Sequence, residues 1–109
     1  TGYPKQASAM RQDGSNWFGS SASLWEMNIK IGIGKLELGM TPAEFALFLN
    51  DLGVQWLDVN IDHATRVALP EPRTRDPFDR MLLAQCAVEN MKLVTVDRLM
   101  ADHPLVLAI

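Results

Sequence analysis

A helix leads straight into an apolar strand in the last third of this chain, and an Asp closes the strand. Asp76-Pro77 is a helix start, an N-cap carboxylate followed by a proline at the first helical position. The helix reaches about Asn90, and residues 93–96, Leu-Val-Thr-Val, follow as a fully apolar strand that ends at Asp97.

The same alternation recurs upstream. Residues 17–20 read as a short strand. Ser23 with Glu26 is a capping-box pattern, and Leu24, Met27, Asn28 and Ile31 follow at helical spacing. Gly32 and Gly34 end that helix, with Lys35 in the turn. Thr41-Pro42-Ala43-Glu44 is a second helix start, Phe45, Phe48, Leu49 and Leu52 its apolar stripe, and Gly53 its stop. Residues 54–59 predict a strand. Asp62 caps a short helix reaching Leu69, after which Pro70 and Pro72 force a loop that delivers Arg73 and Arg75. Residues 98–102 predict a last helical turn and 105–109 a final strand, while residues 5–12 fit one or two helical turns. Strands alternating with helices imply an α/β fold with a mostly parallel central sheet and right-handed crossovers. With 109 residues the chain is expected to be one domain, 1–109.

Composition narrows the function. Apolar residues make up 48% and charged residues 21%, an ordinary globular balance. A net charge of -3 argues against nucleic-acid binding by bulk charge, though not against a local basic rim. Cys86 stands alone, which excludes an internal disulfide and a Cys-rich zinc site. No apolar run is long enough for a membrane span, no secretory signal is visible, and a cytoplasmic location is the expectation.

The chemistry rests on acids at the ends of elements. Asp97 directly follows a strand, where ligands collect in open α/β sheets. Glu26 lies one helical turn beyond the strand at 17–20, and Asp79 lies in the first turn of its helix. Clustered carboxylates repel unless a cation offsets them, and hard oxygen donors suit Mg²⁺ or Mn²⁺. Each acid also has a local role open to it. Glu26 can close the capping box with Ser23, Asp76 can cap its helix, Asp79 can complement the helix dipole, and Asp97 can form a turn. His63 and His103 have no metal-ligand spacing and read as surface residues. Trp17, Trp25 and Trp56 read as core or interface more readily than as a base-stacking platform.

Three segments carry a resemblance: SASLWEMNIKIGIGKLEL at 21–38, RDPFDRMLLAQCAVENMKLVTVDRLM at 75–100, and the spacing between them. Together they resemble the PIN-domain family, and within it the VapC-type toxins of bacterial toxin–antitoxin pairs. The resemblance spans essentially the whole chain. It implies a three-layer α/β sandwich and an Mg²⁺- or Mn²⁺-dependent ribonuclease that cuts single-stranded or loop RNA. Its acidic set matches Glu26, Asp79 and Asp97, with Asp76 as an auxiliary carboxylate. Lys35, Arg75 and Arg80 become candidates for RNA phosphate contact, and a cognate antitoxin and a second copy of the chain become expected partners. Family members open with an apolar strand ending in Asp. Here no such strand precedes Trp17, and Asp13, between Gln12 and Gly14, stands in the wrong context. The pattern is therefore expected to be N-terminally truncated, lacking one ligand and a central strand, with impaired catalysis. The alternative is a non-catalytic PIN-like domain for protein association.

Overall fold

The computed structural model describes residues 8–12, 16–95 and 97–108. Among them are five strands, β1 (Ala9–Arg11), β2 (Trp17–Ser20), β3 (Gln55–Leu57), β4 (Lys92–Thr95) and β5 (Val106–Ala108). Four helices accompany them: α1 (Ser21–Gly32), α2 (Pro42–Asp51), α3 (Ile61–Thr65) and α4 (Pro77–Glu89). A 3-10 turn covers Arg98–Met100.

The strands form one sheet in the order β3-β2-β1-β4-β5. β2 and β3 are parallel, as are β4 and β5, whereas β1 is antiparallel to both β2 and β4. Four strands therefore point one way and the middle one points back. This is the α/β sheet that the alternation implies, mixed rather than purely parallel. The central position expected to be lacking is held by β1. The whole of that strand falls within residues 5–12, where one or two helical turns were expected. The reason is its surroundings: Met10 is fully buried and pairs with Phe18 on one side and Leu93 on the other. Two strand partners outweigh a weak local preference. Lys5, Gln6, Ala7, Asp13 and Val96 lie outside the described residues.

The register sorts the side chains onto two faces. Met10, Phe18, Leu57, Leu93 and Val106 share one face and pack with Leu82, Leu83 and Cys86 of α4. The opposite face presents Ala9, Gly19 and Trp56 toward Ser23 and Met27 of α1 and Phe45 and Leu49 of α2. The sheet is the middle of three layers.

Local signals set the helix bounds. α1 begins without a loop, because Ser20 ends β2 and is also the N-cap, its Oγ accepting from the Ala22 N–H. Ser23 and Glu26 are therefore not a capping box. They lie inside the helix and are buried. In α2 the expected capping box is present: Thr41 Oγ1 accepts from the Glu44 N–H and Glu44 Oε1 from the Thr41 N–H. These bonds to Thr41 hold the Glu44 carboxyl below its ordinary value. α3 is capped by Asn60 rather than Asp62 and stops at Thr65 rather than Leu69, since Ala68 belongs to the core beneath α4. α4 starts at Asp76-Pro77 as expected and ends at Asn90, whose φ of 57° is the left-handed cap.

Gly19 has a packing reason. A Cβ there would lie 2.4 Å from Trp56 Cζ3. The indole cannot swing away freely, because its N–H donates to the Ala46 carbonyl at 3.0 Å. Gly19→Val should cost about 1–3 kcal/mol, the range for overpacking. Urea denaturation should show a lower midpoint at unchanged slope. A variant as stable as the parent would show that Trp56 is not fixed.

Candidate active site at the carboxyl edge of the sheet

β2, β3, β4 and β5 all end at one edge, and β1 enters the sheet there. Ser8, just before β1, donates its hydroxyl to Thr95 Oγ1 at 2.9 Å, which ties the entry of β1 to the exit of β4. Thr95 Oγ1 also accepts from the Asp97 N–H at 3.1 Å. Asp97 is half-buried, and its Oδ1 accepts from the Leu99 N–H, starting the 3-10 turn. The turn-forming and edge-placed readings of Asp97 thus hold together.

α4 reaches the same edge from the other direction. It ends beside the start of β4, so its first turn lies where β4 finishes. There the Phe78 ring meets Trp25 of α1 edge to face, centroids 5.5 Å apart and planes at 72°. Glu26 and Asp79 are the chain neighbours of these rings. Unlike Trp25, both carboxylates are buried, Glu26 only 3% and Asp79 only 4% exposed.

Thr74 organises the start of α4. It is 1% exposed. Its hydroxyl donates to Asp79 Oδ2 at 3.0 Å and accepts from the Asp76 N–H at 3.2 Å. Asp76 Oδ1 in turn accepts from the Phe78 N–H, the expected N-cap bond. Nothing in the sequence marks Thr74 except its place five residues ahead of Asp79. Ser20 and Thr95 are further buried hydroxyls that the sequence does not mark, and Ser23, expected as a cap, is a third.

The expected basic residues separate. Arg80 is not a solvated charge: Nε donates to the Thr74 carbonyl, Nη2 to the Pro72 carbonyl, and Nη1 lies 3.5 Å from Glu71 Oε1. It braces the loop that positions Asp79. Arg75 is exposed at the rim beside the α4 start. Lys35 lies past the far end of α1, roughly 18 Å of helix away from the edge. Arg73 is paired with Asp102 at 2.8 Å, and that guanidinium holds the Asp102 carboxyl below its usual range.

Both histidines depart from expectation, being 1% and 8% exposed. His63 Nδ1 accepts from the Asn60 N–H, so its proton is on Nε2, which faces Glu89 Oε2 at 2.7 Å. This contact ties α3 to α4. His103 accepts from the Leu105 N–H at Nδ1 and donates from Nε2 to the Pro70 carbonyl. Both are structural.

The carboxylates are hard oxygen donors, the chemistry that suits Mg²⁺ or Mn²⁺. Among the described residues, however, no three His, Cys, Asp or Glu residues gather into a group that could hold a metal ion. Glu26 lies buried in α1, Asp79 buried in the first turn of α4, and Asp76 at the N-cap of that helix. Asp97 stands on the same edge without completing a three-carboxylate set.

The model of one family, the PIN domain, matches residues 4–104. Neither a curated protein nor a solved structure matches the chain.

Two outcomes are expected of this region. Thr74→Val removes a donor to a buried carboxylate and an acceptor for a backbone N–H, and should cost about 1–3 kcal/mol. Thr74→Ser should keep most of that stability, and equal loss in both variants would assign the effect to packing. Cys86, fully buried beneath the sheet, is pushed up to about 12 by burial, with Lys92 opposing weakly. It should react with a disulfide reagent only as fast as the protein unfolds. Rapid labelling of the native chain at neutral pH would contradict that.

Proposed function

This chain belongs to the PIN-domain family, and on that premise we propose that it is a metal-dependent endoribonuclease, the toxin half of a VapC-type toxin–antitoxin pair. The observation that carries the reading is the burial of two carboxylates, Glu26 in α1 and Asp79 in the first turn of α4, two helices that meet through Trp25 and Phe78. Buried acids are costly unless something compensates them, and they cluster at functional sites.

Glu26, Asp79 and Asp97 would hold Mg²⁺ or Mn²⁺, with Asp76 as auxiliary. When bound, such an ion polarises a phosphate and acidifies a water for in-line attack. The chain's own groups do the positioning. Thr74 fixes Oδ2 of Asp79, and Arg80 holds the loop that carries Thr74. Thr95 fixes the backbone at Asp97. Arg75, exposed on the rim, is the cation placed to meet a phosphate of single-stranded or loop RNA.

The cognate antitoxin and a second copy of the chain are the proposed protein partners. α2 supports them: none of its residues is buried, and Leu47, Phe48 and, at its C-cap, Leu52 lie exposed. Contiguous apolar surface of this kind marks interaction sites. No helix among the described residues is long and apolar enough to cross a membrane, and the cytoplasm is the proposed setting.

One observation favours a second reading, a non-catalytic PIN-like association domain: the acids do not gather into a metal-holding group among the described residues. Metal binding separates the two. Under the ribonuclease reading Mn²⁺ raises the thermal midpoint in proportion to ln(1 + [L]/Kd), and Asp79→Asn or Glu26→Gln diminishes the rise. Single-stranded RNA is then cleaved slowly with Mn²⁺, not at all with EDTA, and about a hundredfold less by Asp79→Asn. A midpoint indifferent to Mn²⁺ together with no cleavage would sink the ribonuclease reading and leave the association domain.

A further inference from the structure

Between the starts of α1 and α4 lies an apolar groove of about 440 Å³. Ser21 and Trp25 of α1, Val59 beyond β3, and Pro77, Phe78 and Met81 of α4 line it. Its volume falls in the range of about 300–1,000 Å³ usual for small-molecule sites. Trp25 is not a core residue, being 63% exposed. Its only ring contact among the described residues is the edge-to-face one with Phe78. Such a pair uses one face of one ring and an edge of the other. Ring faces remain for a flat group to stack in parallel.

We propose that this groove is a base-stacking subsite, in which Trp25 and Phe78 receive one unpaired nucleobase of a single-stranded oligonucleotide while Arg75 meets a neighbouring phosphate. The inference rests on the ribonuclease reading and deepens it. The chemistry of the rim selects this occupant. Single-stranded nucleic acid alternates flat apolar-faced bases with anionic phosphates, and the edge alternates in the same way. The aromatic groove comes first, and an exposed guanidinium stands two residues ahead of Pro77 on the same helix shoulder. Among the described guanidiniums near the α4 start, Arg80 is engaged by the Pro72 and Thr74 carbonyls and Arg73 by Asp102, which leaves the phosphate to Arg75. A base seated on Trp25 lies one residue along the chain from Glu26, and one held by Phe78 lies one residue from Asp79. A seated base would therefore hold its flanking phosphodiester near both acids. Every base has a π-face, so the subsite selects unpaired nucleotides rather than a sequence.

Binding is read apart from cleavage by fluorescence polarisation of a labelled oligouridylate in EDTA. Trp25→Ala should weaken binding about fivefold or more, the range for removal of one base–aromatic stack. Trp25→Phe should recover most of it. Trp25→Ala should leave the salt dependence unchanged, whereas Arg75→Gln should make it shallower. Equal affinity in wild type and Trp25→Ala overturns the proposal. So does light scattering that shows a dimer which Trp25→Ala dissociates while oligouridylate affinity stays the same, because a second copy then covers the groove. Asp79→Asn should bind the oligouridylate as the wild type does. Should that variant also cleave RNA normally, the active-site reading fails while the base subsite stands.

Discussion

Among the described residues, the two halves of this sheet meet only through β1. β3 and β2 form one parallel pair, β4 and β5 the other, and the three residues of β1 bridge them. Glu26 hangs from the first half, through the helix that continues β2 without a loop. Asp97 hangs from the second half, directly after β4. Their relative position is therefore set by the register of one short strand. A slip of one residue would turn Met10 from the α4 face to the α1–α2 face and empty its fully buried place in the α4-side core. The bond from Ser8 to Thr95 pins the same register at the edge where the acids collect.

α4 supplies the second constraint. Asn60, His63, Gln85 and Glu89 form a polar contact that locks α3 against it. At its other end Thr74, Arg80 and the carbonyls of Pro72 and Thr74 fix the approach to its first turn. Asp79 is thus held from both directions, by a helix that cannot roll and a loop that cannot swing. Buried polar groups are costly when unmet, and their bonds specify one arrangement. The Trp25–Phe78 contact then couples α4 to α1, and so couples the two buried acids.

Much of this was legible because local chemistry carried it. Thr41-Pro42 and Asp76-Pro77 announce helix starts that the structure keeps, and Trp17–Ser20 is the strand the sequence indicates. Where local signals misled, a distant partner had intervened. Ser23 with Glu26 has the form of a capping box, yet Ser20 takes the cap because β2 runs directly into α1. Residues 9–11 are a strand only because β2 and β4 flank them. His63 and His103 become buried through carbonyls and carboxylates far along the chain, which no spacing rule reveals. The acids were legible as residues at the ends of elements, whereas the metal-holding group expected of Glu26, Asp79 and Asp97 does not assemble among the described residues, since side-chain distances depend on packing across three elements.

The charge balance at this edge limits how RNA could be chosen. The chain is net negative, so its overall field repels a polyanion rather than gathering it. Of the basic side chains described near the α4 start, Arg73 faces Asp102 and Arg80 faces the loop, which leaves Arg75 as the exposed cation among them. One phosphate contact contributes a salt slope of only about -0.7 on a single strand, too little to bind tightly by counterion release. Affinity at such a site has to come from apolar contact with bases. A duplex hides those faces in its stack, whereas a loop or single strand offers them. On the ribonuclease reading, preference for unpaired RNA therefore follows from how little positive charge the edge carries, and selection among unpaired sequences falls to surfaces outside it, such as those a protein partner covers.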